Sequence, residues 1–222
     1  MKISVSLWSA DLLELGAAVN LVAPYVDGLH LDVMDGLCVP NLLFGPDFIS
    51  ALRARTRACL DVHVMMSDTD GWVERFAESG SDIITVHRTL CSDVRATLSK
   101  IREFGKKAGL VVELGDQIDA ENLHLDLTDR LLVMGTEIGI KGQDIDPRIG
   151  ERIKAIVCER DRSQAGAEIF VDGGIRRHTV PMLATAGADV VIPGSLVFAD
   201  KDPCAAIRWI NSLGQKAEQA LA

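Results

Sequence analysis

The stretch Leu29-His30-Leu31-Asp32-Val33-Met34-Asp35-Gly36 carries a histidine and an aspartate two residues apart inside an apolar run. In an extended strand alternate side chains share a face, so His30, Asp32 and Met34 point one way and Leu31 and Val33 the other. Burying a His and an Asp together is costly unless they are paired or ligate a metal. On this stretch alone, a His–Asp hydrogen bond that pins a turn explains the pair as well as a metal site does.

The surrounding elements decide what the pair can meet. Strand-like runs fall at residues 3–7, 28–34, 59–65, 83–87, 110–114, 131–135, 168–172 and 190–192. Helical periodicity follows each of them, at 12–22 (with Asp11 as N-cap), 48–55, 72–79, 93–107, 120–125, 146–160, 179–186 and 203–220. A long loop joins the second strand to Pro46. Runs such as Ile83-Ile84-Thr85-Val86 and Val190-Val191-Ile192 are apolar on both faces, as a helix-covered parallel sheet requires. Eight strand–helix units at roughly 28 residues each, with no early glycine-rich dinucleotide loop, predict an α/β protein, a (β/α)8 TIM barrel. No linker or low-complexity tract interrupts the series, so residues 1–222 are expected to form a single barrel domain.

In such a barrel the reacting groups stand at the C-terminal ends of the strands. The polar residues there are Ser6, His30, Asp32, His63, His87, Glu113 and Asp172. His30, Asp32, His63 and Asp172 form a two-His, two-carboxylate set suited to one borderline divalent ion, Zn²⁺, Fe²⁺, Co²⁺ or Mn²⁺. A second group is made of glycines: Gly139 and Gly142 flank Lys141 after the sixth strand, Gly173-Gly174 follow the seventh, and Gly194-Ser195 follow the eighth. Glycines let backbone amides approach an anion, and the loops after the seventh and eighth strands are the usual phosphate position of the fold. Any one glycine pair could simply make a tight turn, but three neighbouring loops point to a phosphate. Lys141 would add a charge there or lie in solvent.

Composition narrows the partners. Hydrophobic residues are 48% of the chain and charged residues 25%, as in ordinary soluble globular proteins. A net charge of −9 argues against nucleic-acid binding while leaving room for a small anionic substrate. The five scattered cysteines form no C-x-x-C pair, which fits reduced thiols in the cytoplasm. There is neither a signal-peptide pattern nor an apolar run long enough to span a membrane.

The segments His30-Leu31-Asp32-Val33-Met34-Asp35-Gly36-Leu37-Cys38-Val39-Pro40-Asn41, Asp61-Val62-His63-Val64-Met65, Val171-Asp172-Gly173-Gly174-Ile175 and Gly187-Ala188-Asp189-Val190-Val191-Ile192-Pro193-Gly194-Ser195 resemble the signatures of the ribulose-phosphate 3-epimerase family. The opening Val5-Ser6-Leu7-Trp8-Ser9-Ala10-Asp11 is similar to that family's first strand and turn, so the resemblance runs through nearly the whole chain. It implies a metal-dependent 3-epimerase of a ketose phosphate that works through an enediolate, with homo-oligomeric assembly. It makes His30, Asp32, His63 and Asp172 the metal ligands, and Asp32 and Asp172 the acid/base pair. Ser6 would touch the sugar, Met34, Met65 and Met134 would line the site, and Gly142, Gly174, Gly194 and Ser195 would surround the phosphate. The chemistry is consistent: inverting a carbon beside a carbonyl needs two carboxyl groups flanking it, and the second and seventh strands are expected on opposite sides of the barrel mouth.

Three places depart from the family. The fifth strand ends Glu113-Leu114-Gly115-Asp116-Gln117 where Asn-Pro-x-Thr-Pro is usual. Glu137-Ile138-Gly139-Ile140-Lys141-Gly142-Gln143 replaces a Pro-Gly-Phe-Gly-Gly-Gln pattern, and His87 is followed by Arg88-Thr89 where His-x-Glu is common. All three fall on the substrate side, so a substrate other than ribulose 5-phosphate stays open. Glu113 could bind an extra hydroxyl or pair with Lys141 or Arg88. Two other readings are a lyase of the aldolase or decarboxylase type acting on a phosphorylated sugar, and a non-catalytic phosphosugar sensor. The lyase would place a lysine at a strand end, and no strand end has one.

Overall fold

The computed structural model describes the backbone of residues 1–221 and the side chains of residues 1–213. Eight parallel strands close a barrel in the order β1 (Lys2–Ser6), β2 (Gly28–Asp35), β4 (Cys59–Met65), β5 (Ile83–Val86), β6 (Lys107–Val112), β7 (Arg130–Met134), β8 (Glu168–Asp172) and β9 (Val190–Ile192). Closure comes from β1, which pairs with both β2 and β9. The remaining strand, β3 (Leu42–Leu43), is a two-residue antiparallel addition to the end of β2. The fold is therefore the expected (β/α)8 barrel, with β3 lying inside the stretch expected as loop. Asp35 makes that turn: its Oδ1 accepts from the amides of Leu37 and Cys38, and its Oδ2 from Ser67.

The outer layer is α1 (Leu15–Val22), α2 (Pro46–Arg53), α3 (Thr69–Glu78), α4 (Val94–Glu103), α5 (Ala120–Leu123), α6 (Ile149–Arg162), α7 (Val180–Ala186), α8 (Ser195–Phe198) and α9 (Pro203–Leu221). Three of these helices begin at aspartates that accept from an amide of the first turn: Asp68 from Gly71, Asp93 from Ala96 and Asp119 from Asn122. Asp11 does not cap α1. Its carboxylate closes a turn onto the Leu13 amide, and the helix starts only at Leu15 because Leu12 and Leu13 are exposed with no core to meet. Helix α4 is also shorter than its periodicity suggests. Gly105 takes a positive φ of 71°, the Lys106 amide returns to the Ile101 carbonyl, and β6 starts at Lys107 in register with Ile83.

Alternation along the strands divides the core in two. Outward residues such as Leu29, Leu31, Val33, Val62 and Val64 pack under the helices. Inside the barrel, Ile83, Val111, Leu132, Met134, Phe170, Val190 and Ile192 form a separate apolar cluster. The other half of the interior is polar, with Ser4, Ser6, His30, Asp32, Asp61, His63 and Thr85 all buried. Strands β2 and β4 match these rows by register, His30 beside Asp61, Asp32 beside His63 and Met34 beside Met65.

Between the two halves lies Arg130, 1% exposed, ion-paired with Asp61 and stacked over the Phe170 ring at 3.9 Å. Burial pulls its pKa down to about 9. Replacing it by methionine would leave the Asp61 charge without its cation. Arg130→Met is expected to cost about 3–5 kcal/mol of stability in urea unfolding, and a loss under 1 kcal/mol would show that Ser4 and His30 compensate Asp61 alone.

Candidate active site

The side chains of His30, Asp32, His63 and Asp172 converge at the C-terminal mouth of the barrel, with one ligand-type atom from each lying within 4.8 Å of the others. Asp32 and His63 meet because β2 and β4 are in register, and Asp172 arrives from β8. Strands β2 and β8 are not diametrically opposed; β1 and β9 separate them on one side. The carboxylates approach because both residues close the interior of the same small barrel.

The imidazole atoms are aimed. His30 Nδ1 lies 2.8 Å from Asp61 Oδ2, which also accepts from the Ser4 hydroxyl. That leaves His30 Nε2 facing inward, 3.3 Å from Asp32 Oδ1 and 3.9 Å from Asp172 Oδ2, buried and with no aligned hydrogen-bond partner among the described residues. His63 Nδ1 lies 3.3 Å from the same Asp32 oxygen, and Ser6 donates to Asp32 Oδ2 at 3.0 Å. An orphaned buried imidazole nitrogen beside two carboxylates fits a divalent cation, and a two-nitrogen, two-oxygen donor set suits a borderline metal.

The two aspartates differ electrostatically. Burial works to raise both carboxyls. At Asp32 the neighbouring His30 and His63 outweigh it and hold the group well below the usual carboxylate range. At Asp172 burial, reinforced by the Asp32 charge, pushes the carboxyl up. One therefore favours the ionised form and the other the protonated form.

Above this cluster is a cleft of about 270 Å³. Asp32, His63 and Asp172 form its floor, Ser6, Met65 and Met134 line its wall, and Gly139, Lys141, Gly142, Gly173, Gly174, Gly194 and Ser195 reach it from the loops. Gly174 has a positive φ of 68°, and a Cβ there would come within 2.7 Å of the Ile145 backbone nitrogen, so the chain passes only as glycine. Lys141 crosses the mouth, donating to the Trp8 carbonyl at 2.6 Å and lying over the Trp8 ring.

Three of the expected substrate-side residues lie elsewhere. Met34 is buried against Val39 and Met65 beside the cleft. His87 is fully buried behind His63, their Nε2 atoms 2.8 Å apart, and its Nδ1 lies 2.8 Å from Glu113 Oε1. Glu113 pairs with neither Lys141 nor Arg88; Arg88 binds Asp116 and Asn122 instead. Two residues escaped the sequence reading. Asp61, which orients His30, was legible from alternation, since it shares a face with His63. Arg176, whose Nη1 lies 3.4 Å from the Ser195 hydroxyl at the cleft, sits in a turn whose direction no periodicity reveals.

Comparison with known proteins accords with this geometry. The profile of the ribulose-phosphate 3 epimerase family matches residues 2–198. Ribulose-phosphate 3-epimerase of Rhodobacter capsulatus is 35% identical over 202 residues, 89% of this chain and 86% of that protein. The Aquifex aeolicus protein of the same name is 37% identical over 187 residues, 84% of each chain. Among solved structures, 3-hexulose-6-phosphate synthase from Salmonella typhimurium superposes with a TM-score of 0.73 at 24% identity, covering 98% of this chain and all of that one, a likeness of fold alone. The chain belongs to the ribulose-phosphate 3-epimerase family and is an isomerase of the epimerase class.

Proposed function

We propose that this protein inverts C3 of a ketose phosphate, ribulose 5-phosphate/xylulose 5-phosphate or a related sugar, with Asp32 and Asp172 as the two proton carriers. The observation that carries this reading is the pair itself: one buried and one half-buried carboxyl converge on one cleft floor with opposite protonation preferences. Ionised Asp32 would take the C3 proton, and the C–H electron pair would move into a C2–C3 double bond as charge passes to the C2 oxygen. Protonated Asp172 would then return a proton to the other face of C3 and restore the carbonyl. Each turnover leaves the pair with its proton exchanged, ready for the reverse direction. His30, Asp32, His63 and Asp172 would hold the divalent metal, Zn²⁺ or Fe²⁺ before Co²⁺ or Mn²⁺, which when bound supplies Lewis-acid stabilisation of the negative charge on the substrate oxygens.

The remaining residues would orient and exclude. Ser6 holds Asp32 from behind, and Met65 and Met134 keep the wall apolar around a charge that would otherwise draw water. The amides of Gly174 and of the Gly194-Ser195 turn, with Arg176 beside them, would receive the phosphate at the far end of the cleft. Phosphate anchoring at one end and two carboxyls at the other would place C3 between the proton carriers. The same placement opposes the lyase reading, because Lys141, the lysine lining the cleft, has its ammonium engaged by the Trp8 carbonyl.

Incubating the metal-loaded protein with ketopentose and ketohexose phosphates in D₂O should introduce deuterium at C3 of one of them and form its epimer. Absence of exchange across the panel would remove the epimerase reading, and loss of carbon from the sugar would replace it with the lyase. Asp172→Asn should lower turnover by about 10²–10⁴-fold without altering the circular dichroism spectrum. Dialysis against a chelator should abolish turnover, and one of the four divalent ions should restore it.

A further inference from the structure

We infer that Glu113 is a positioning residue for the metal centre: through His87 it selects the ring tautomer of His63 that leaves Nδ1 free to bind the cation. This rests on the metal reading of the His30–Asp32–His63–Asp172 cluster and assigns a role to a residue outside it.

The inference follows from counting protons along one line of contacts. Glu113 Oε1 lies 2.8 Å from His87 Nδ1, His87 Nε2 lies 2.8 Å from His63 Nε2, and His63 Nδ1 faces Asp32 Oδ1 at 3.3 Å. An ionised carboxylate only accepts, so His87 must donate from Nδ1. With one proton per ring, His87 Nε2 is then bare and can only accept. The short contact between the two rings therefore requires His63 to donate from Nε2, so that Nδ1 is the nitrogen left to offer a lone pair to a cation. That nitrogen and the Asp32 oxygen 3.3 Å from it are the two atoms that would share the cation. His30 repeats the logic in one step fewer. Its Nδ1 donates to Asp61 at 2.8 Å, and its bare Nε2 faces the same Asp32 oxygen. Both histidines thus have a remote carboxylate setting the tautomer, a support that ligating histidines generally require.

Glu113 is suited to this end of the line. His87 is fully buried and cannot take its hydrogen bond from solvent, so its Nδ1 proton needs an acceptor supplied by the fold. Thr89 Oγ1 points at the same Glu113 oxygen from 3.5 Å. Residues 89 and 113 are two of the places where the chain departs from the family pattern, and they meet at this one carboxylate.

Two measurements decide it. In the metal-free, unaltered protein, ¹⁵N-detected histidine spectra should show the proton of His63 on Nε2 and that of His87 on Nδ1; a His63 proton on Nδ1 would overturn the inference without any variant. In competition with a chelating dye, Glu113→Leu should bind Zn²⁺ about 10–100-fold more weakly than the unaltered protein and show a mixture of His63 tautomers. Glu113→Gln, which keeps an acceptor oxygen at the same reach, should recover part of the affinity. Equal Zn²⁺ affinity in the unaltered and leucine proteins would sink the role of Glu113 alone. Failure of the unaltered protein to take up Zn²⁺, Fe²⁺, Co²⁺ or Mn²⁺ would remove the metal reading and this inference with it.

Discussion

Buried negative charge is the constraint around which this barrel is built. Asp32, Asp61 and Asp172 are enclosed in one barrel interior, and a carboxylate there is tolerated only where something positive or hydrogen-bonding faces it. Arg130 compensates Asp61 from below, and Asp61 in turn orients His30. His30 and His63 turn the nitrogens left to them toward Asp32. The His/Asp cluster and the core are therefore one continuous network, reaching from the arginine in the middle of the barrel to the open cleft.

That network explains why the barrel interior is split. One half, on β7, β8 and β9, is filled with apolar side chains and carries the rigidity expected of a packed TIM-barrel core. The other half, on β1, β2 and β4, spends interior volume on polar groups that are individually unfavourable to bury. The helices and the outward strand faces, which hold most of the apolar core, supply the stability that tolerates this cost. The cleft inherits both halves: carboxyls and imidazole on the floor, methionines on the wall.

Much of this was legible beforehand. Strand existence followed from apolar runs, and convergence of His30, Asp32, His63 and Asp172 followed from the rule that parallel barrel strands deliver their C-terminal ends to one mouth. Boundaries were less secure. Helix α4 ends early because Gly105 can adopt a positive φ and because Lys107 is claimed by pairing with β5, an interaction invisible to a helical window. Asp11 looked like a cap, yet the helix it should have capped had no surface to pack on until Leu15. His87 and Glu113 were assigned to the substrate because strand ends face the cleft. They turned instead toward His63, because a buried imidazole takes the partner that satisfies both its nitrogens.

The sequence by itself determined the fold, the family and the membership of the His30–Asp32–His63–Asp172 cluster, since each depends on alternation, periodicity or contiguous motif. Only the tertiary structure decided which nitrogen of each histidine faces the site, which carboxylate stands behind it, and that Arg130 lies under Asp61. Those choices depend on register between strands distant in sequence and on the direction of individual side chains, and neither leaves a periodic trace. The His–Asp pair on β2 was ambiguous for that reason. A turn-pinning bond and a metal site use the same two residue types, and the partner at the far side of the ring, Asp61, decides which His30 nitrogen faces Asp32.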